Sequence, residues 1–347
     1  MLNAPWRINV DTNPDDCNLS CIMCELHSPY AAPGKRPAVL RRRMYPRIFR
    51  ALFEELRGTA FQEVVATSMG EPLLYEYMPE IVELCGRDGI RLSLTTNGTF
   101  PRGGARYWAD RLTEIGADIK ISLNAATSDT LARIMKGADL DRILENIRTL
   151  VAVRDARART GGRRSRITLK VTFLECNVRQ LPDFVLLAAD LGVDRLRGSH
   201  LLSIFPETEQ FSVKRTPEAR ALFNEMIGKT HAAGQSIAAQ RDIAIELSNF
   251  VPLTATLRRG LCPYVGNEAW IDAEGGFAPC CLPESLRRRL GTFGNVTESG
   301  LLPLWRGPAY REFCASYQSH AICSECEKRR VDLREDRPRD RLVQISL

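Results

Sequence analysis

No stretch of the chain approaches the ~20 consecutive apolar residues that a membrane-spanning helix needs. The first residues, Met1-Leu2-Asn3-Ala4-Pro5-Trp6-Arg7, lack the basic head and long apolar core of a signal peptide. Both absences predict a cytosolic protein with no membrane partner. There is no internal repeat and no run of heptads, which excludes a solenoid and a coiled coil. Lysine is scarce: 41 of the 48 basic residues are arginine, set against 42 acidic ones, for a net charge of +6. The basic runs are Arg41-Arg42-Arg43, the stretch from Arg154 to Arg166, and Arg287-Arg288-Arg289. With the charges so nearly balanced, solvated faces and contacts with small anions are expected in preference to a nucleic-acid surface.

What the chain does have is 347 residues of ordinary apolar content, enough for one large α/β domain and a small appended one. It also has eleven cysteines, nine of them grouped at 17–24 and 262–326. Stable disulfides are not expected in the cytosol, so grouped cysteines point to metal.

Over the first two-thirds, strand-like and helix-like segments alternate. Strands are expected at 7–12, 63–67, 91–96, 119–123, 167–174 and 195–201. Helices are expected at 45–56, 78–85, 128–135, 140–153, 181–191 and 217–233. Regular alternation implies a parallel sheet with right-handed crossovers. Six such units are too few for a closed eight-unit barrel, so an open, partial one is expected. From about Leu261 glycine, proline and cysteine become frequent and helical periodicity lapses until Leu301. That is the texture of a small metal-stapled unit. The division is expected at 1–235 and 236–347, the second part comprising a linker and the cysteine-rich unit.

Cys17, Cys21 and Cys24 form a C-x3-C-x2-C group after the first strand. Three thiolates at this spacing can bind three irons of a cubane cluster and leave the fourth open. A zinc site completed by His27 is the alternative. The run Cys17-Asn18-Leu19-Ser20-Cys21-Ile22-Met23-Cys24 resembles the signature of the radical S-adenosylmethionine (SAM) superfamily. The resemblance implies a [4Fe–4S] cluster whose open iron binds SAM. Reductive cleavage then yields a 5′-deoxyadenosyl radical that takes hydrogen from substrate. The residue before the last cysteine is usually aromatic in the family; here Met23 is expected against the adenine. Met69-Gly70-Glu71-Pro72 is similar to the family's Gly-Gly-Glu segment, which implies that Gly70 and Glu71 hold the SAM amino group. Thr96 and Asn97 lie in Leu94-Thr95-Thr96-Asn97-Gly98, a common family sequence at the third strand's end. Ser122 and Asn124 end the fourth strand, where contacts to the SAM ribose or carboxylate are implied, and Lys170 of the fifth strand is expected to face the same cavity.

The second group is C-x17-C followed later by C-x2-C: Cys262, Cys280, Cys323 and Cys326, with Gly275 between the first pair. Four thiolates close every position of a second [4Fe–4S] cluster. The pattern resembles the auxiliary domains called SPASM and Twitch, nearest in cysteine arrangement to the 2-deoxy-scyllo-inosamine dehydrogenases. Cys281 or Cys314 could replace one of the four, and a zinc ribbon is the alternative. The fold expected is therefore α/β, a partial (β/α)6 TIM-like barrel with a small C-terminal iron–sulfur domain.

A fully ligated cluster suits electron transfer, which favours a dehydrogenation. The expected reaction is oxidation of a sugar or aminocyclitol hydroxyl, with the auxiliary cluster accepting the second electron. Ribosomal-peptide modification, epimerisation, radical carbon–carbon bond formation and a metal-binding protein without SAM chemistry are the alternatives. A first strand beginning near Arg7 leaves little room for a leader-binding domain, so a small-molecule substrate is favoured over a peptide. A reductase such as flavodoxin or ferredoxin is the expected electron source. The general base is sought among His200, Glu175 and Asp194. Cys176, at the end of the fifth strand, is a candidate hydrogen-atom donor, and Cys85 is expected in the core.

Overall fold

Period-two sequences set the architecture. Ile8, Val10, Val64, Ala66, Leu92, Leu94, Ile119, Ile121, Ile167, Leu169, Val171, Phe173 and Leu196 occupy alternate strand positions and are fully buried. In the computed structural model, which describes residues 1–31, 41–66, 69–241, 244–253, 260–326 and 329, these side chains meet a layer of helices. The strands are β1 (Arg7–Val10), β2 (Ser20–Cys21), β3 (Glu63–Ala66), β4 (Arg91–Thr96), β5 (Asp118–Ser122), β6 (Met135–Lys136), β7 (Arg166–Phe173), β8 (Arg195–His200), β9 (Glu246–Ser248), β10 (Glu268–Ile271) and β11 (Phe277–Ala278). The helices of the barrel are α1 (Pro46–Leu56), α2 (Met78–Asp88), α3 (Gly104–Glu114), α4 (Ser128–Ile134), α5 (Leu140–Arg159), α6 (Leu181–Leu191), α7 (Pro206–Glu209) and α8 (Pro217–Arg241).

Nine strands form one sheet in the order β11-β10-β1-β3-β4-β5-β7-β8-β9, and β2 pairs with β6 apart from it. Every neighbour in the large sheet is parallel except β11. The six expected β/α units are present, and the barrel is partial. Helix α3 has no counterpart in the sequence reading. Its buried stripe is only Trp108, Ala109, Leu112 and Thr113, and it starts between two glycines, which breaks the period.

The sheet crosses the expected division. Helix α8 runs through residue 235 to Arg241. Beyond it, β9 pairs with β8 at one edge and β10 pairs with β1 at the other. At the N-terminal ends of the strands, Arg7 lies 2.9 Å from Glu63 and 2.8 Å from Glu268, and Glu63 lies 3.4 Å from Arg91. Glu63 and Glu268 are the buried members, so removing Arg7 would leave two buried carboxylates short of a partner, whereas Arg91 is half exposed and contributes less.

The C-terminal unit adds an aromatic group that is continuous with the barrel's core. Phe277, Phe293, Trp305, Tyr310 and Phe313 are buried together, with ring centroids 4.8–6.2 Å apart. Between β10 and β11 the chain turns at Asp272, whose carboxylate accepts from the Glu274 and Gly276 amides, and Gly275 takes φ +89° there. Residues from 330 onward lie outside the described residues. No helix among the described residues is long and apolar enough to cross a membrane.

Candidate functional site

The loop after β1 carries Cys17, Cys21 and Cys24, and backbone pairing pins it. Ser20 and Cys21 pair with Lys136 and Met135, and the Ile22 amide donates to the Ile134 carbonyl at 3.0 Å. Leu19 and Ile22 are buried, anchoring the loop between the cysteines. The three thiols lie close enough to perturb one another electrostatically, and burial pushes all three up, Cys17 to about 11. Buried thiolates need a cationic partner, which iron supplies.

Around this loop the ends of β3 and β4 converge. Glu71 is fully buried. Its carboxylate accepts from the Thr96 hydroxyl at 2.7 Å, the Asn97 amide at 2.7 Å and the Leu73 amide at 3.1 Å. Burial nevertheless raises its carboxyl to about 7. The Asn97 side chain reaches Asn18 at 2.9 Å and the Cys17 sulfur at 4.0 Å. Gly70 is required by close approach: a Cβ there would stand 2.2 Å from the Asp16 carbonyl oxygen and 2.3 Å from that of Asn13. Asn13, absent from the expected set, donates to the Glu71 carbonyl. The Glu71 side chain thus ties its own segment to the β4 end, and its backbone holds Asn13 and Asp16, so the carboxylate is already supplied with protein donors.

Further round the rim, Ser122 pairs in register with Lys170, and Lys170 with Arg197, so these three share the sheet's inner, polar face. The Asn124 side chain accepts from the Thr172 amide at 2.8 Å and ties β5 to β7. Fully buried Asn177 donates to the Asn124 and Thr172 carbonyls. An Asn just past a strand end is a turn signal that could have found it.

The candidate bases are not gathered here. His200 falls on the helix-facing side of β8, its ring 5.2 Å from Phe173 and 5.3 Å from Phe223 of α8. Strand alternation decides this, since Arg195, Arg197 and Ser199 take the inner positions. Asp194 precedes β8, at the opposite end of the strand, where it pairs with Arg154 and accepts from the Ile167 amide. Glu175 pairs with Arg215 at 3.1 Å. Cys176 is half-buried against the core, with its thiol pushed up by burial. His27 meets the Pro14 carbonyl at 2.8 Å.

The second cysteine group does assemble. Cys262, Cys280, Cys323 and Cys326 line one cavity of about 130 Å³, with Cys281 beside them. The Tyr317 hydroxyl accepts from the Cys262 amide at 3.0 Å, and the Tyr310 hydroxyl accepts from the Gly266 amide at 2.8 Å. The aromatic core thereby shapes the Cys262 loop. Cys314 lies beside Tyr310 and is not part of the cavity wall. Burial pushes up the thiols of Cys262, Cys280 and Cys323, the last to about 11. Among the described residues no three His, Cys, Asp or Glu side chains converge tightly enough for one metal ion. A cubane, whose irons sit at separate corners, does not ask for that.

The basic runs are divided: Arg159, Arg163, Arg164, Arg166, Arg288 and Arg289 are exposed, as expected of solvated faces, while others are drawn into ion pairs. Arg41 and Arg43 pair with Asp16, and Arg42 pairs with Asp15 and Glu284. Arg154 and Arg287 are buried against Asp194 and Asp11.

Residues 14–156 match the radical SAM superfamily, and residues 262–327 match SPASM, an iron–sulfur cluster-binding domain. The chain carries a radical SAM domain and a SPASM domain. This radical SAM enzyme uses SAM, a [4Fe–4S] cluster and auxiliary iron–sulfur, and the two thiol groups described above fit those cofactors in number and chemistry. It is 23% identical over 336 residues to the tungsten-containing aldehyde ferredoxin oxidoreductase cofactor-modifying protein of Pyrococcus furiosus, covering 90% of this chain and 85% of the relative. It is 24% identical over 315 residues to the PqqA peptide cyclase of Xanthomonas campestris pv. campestris, covering 89% and 78%. Among solved structures, Streptococcus suis SuiB bound to SAM superposes with a TM-score of 0.65 at 17% identity, over 94% of this chain and 71% of that one. SuiB has also been solved bound to its precursor peptide SuiA, and superposes with a TM-score of 0.61 at 16% identity, over the same shares of the two chains.

Proposed function

We propose that this enzyme modifies a peptide by radical chemistry. Cys17, Cys21 and Cys24 hold the SAM-binding cluster. Cys262, Cys280, Cys323 and Cys326 hold one auxiliary cluster, with Cys281 the alternative to Cys280. The supporting observation is the alignment with a peptide cyclase over 89% of the chain. This reverses the preference for a small molecule drawn from the early first strand.

When bound, the first cluster and SAM supply a carbon-centred radical that removes hydrogen from substrate. The chain's own residues hold the frame. The β2–β6 pair fixes the cysteine loop, and Gly70 lets that loop lie against the β3 end. Glu71, Thr96 and Asn97 lock the strand ends together. Met23, Ser122 and Lys170 are the proposed contacts to SAM, and Asn124 holds β7 beside them. Flavodoxin or ferredoxin is the proposed electron source.

The test uses anaerobically reconstituted, dithionite-reduced protein with SAM and, as substrate, any short peptide found encoded beside its gene. Formation of 5′-deoxyadenosine together with loss of hydrogen from the peptide supports the reading. Deuterium placed on the peptide should appear in the 5′-deoxyadenosine. Turnover of an aminocyclitol with none of the peptide would overturn it. That second reading, hydroxyl oxidation, is favoured by one observation: Cys262, Cys280, Cys323 and Cys326 line one cavity, and four thiolates are enough to close every position of an electron-accepting cluster.

A further inference from the structure

Each cysteine group is followed or preceded by charged residues with no direct place in cofactor binding, and these residues reach across to one another. Glu25 follows Cys24 directly. Its carboxylate accepts from the Glu284 amide at 2.9 Å, the Ser285 amide at 3.0 Å and the Ser285 hydroxyl at 2.6 Å. Glu284 and Ser285 open the short helix that begins three residues after Cys281. A carboxylate from the first cysteine loop therefore caps the helix leaving the second.

Arg42 makes the second crossing. Its guanidinium meets Asp15, two residues before Cys17, at 2.8 and 3.1 Å, and both Glu284 oxygens at 2.7 Å. The Arg42 amide adds a bond to Asp15 at 2.8 Å. All three side chains are largely buried, at 10–17% exposure, where screening by salt is weak. The third crossing is Arg287, which lies 3.6 Å from Asp11 at the end of β1 and 4.5 Å above the Trp270 ring.

We infer that Glu25 and Arg42 are positioning residues: with Glu284 they form a brace that fixes the SAM-cluster loop against the auxiliary-cluster loop and so sets the separation of the two clusters. The brace rests on the two-cluster reading above. Its geometry is suited to the task because the carboxylates of Asp15, Glu25 and Glu284 each belong to a residue within four of a proposed ligand. Arg42 holds two carboxylates at once through a planar fork, which lysine's single ammonium cannot do. A chain that needed only to attach the C-terminal unit already has the β1–β10 pairing and the capping of Leu301 and Leu302 by Glu55.

The experiment uses the full chain, reconstituted with iron and sulfide, as wild type, Glu25→Ala, Arg42→Met, Arg42→Lys and the double variant Glu25→Ala/Arg42→Met. Iron content, circular dichroism, SAM cleavage without substrate and pulsed EPR of the reduced clusters are measured on each. All should load about eight irons per chain and keep the wild-type circular dichroism. SAM cleavage should stay within about twofold of wild type, since the first cysteine loop retains its β2–β6 pairing. The relaxation enhancement of one reduced cluster by the other should fall by about 1.3-fold or more in the double variant, because a site robbed of its supporting contacts drifts by about an ångström. Arg42→Lys should recover only part of it. Unchanged inter-cluster relaxation in the double variant, with both clusters loaded, would overturn the brace while leaving the two-cluster reading intact. A wild-type chain that loads only about four irons overturns the two-cluster reading, and the brace falls with it.

Discussion

The two cysteine sites are built by opposite means. The first comes from eight consecutive residues, and its shape is local: a loop pinned by a two-residue ladder and pressed against neighbouring strand ends. The second comes from 65 residues of chain, and its shape is tertiary. An aromatic core and two tyrosine hydroxyls hold the Cys262 loop, while the other thiols arrive from separate segments. The lesson is that an open, reactive site is framed by hydrogen bonds at the rim of a barrel, whereas a closed site is enclosed by a core. Perturbing the first should change chemistry before stability; perturbing the second should change metal content first.

The largest effect is expected at the first site. Cys17→Ala should abolish SAM cleavage, measured as 5′-deoxyadenosine released on reduction, while the C-terminal unit still loads iron. Cys323→Ala should do the reverse. Iron content should fall from about eight to about four per chain, with part of the SAM cleavage retained; full iron content in that variant would count against its role as a ligand. Gly70→Ala tests the frame rather than the ligands. The new methyl meets two carbonyl oxygens at 2.2 and 2.3 Å, so a loss of about 1–3 kcal/mol is expected by chemical denaturation, along with weakened SAM binding.

The smallest effect concerns pH. The Glu71 carboxyl is raised from 4.5 to about 7 by burial. The folded chain therefore binds this proton more tightly than the unfolded chain does. The resulting stability is fully present below about pH 4.5 and is lost as the pH rises through about 7. In metal-free protein, Glu71→Gln should flatten the melting temperature between about pH 5 and 8. A profile identical to wild type would show that this carboxyl does not titrate there.

Legibility in the sequence followed the same division between local and tertiary. The six strands and most of their helices were legible because period two and period 3.6 are written residue by residue. The C-x3-C-x2-C loop was legible because spacing alone makes it a three-thiol face. Strand β10 was not: all four of its residues are buried, so it has no alternation to display. Nor was the destination of Arg42, since an arginine run looks the same whether it meets water or a carboxylate 242 residues away. The side of the sheet that His200 takes was illegible for a related reason. Being near a strand end is readable, but which side of the sheet it takes depends on register.

The pairing of β1 with β10 bears on how the polypeptide is made. Strand β1 lies between β3 and β10, and the Arg7–Glu268 contact joins residues 261 apart. A nascent chain emerging from the ribosome can pair β1 with β3 early, but its other edge stays open until the tenth strand has been synthesised. Closing so long a loop is slow, and an unpaired strand edge invites association in the meantime. A truncated product ending at residue 235 would carry that open edge permanently, so aggregation of such a fragment, rather than a working half-enzyme, is the expected outcome.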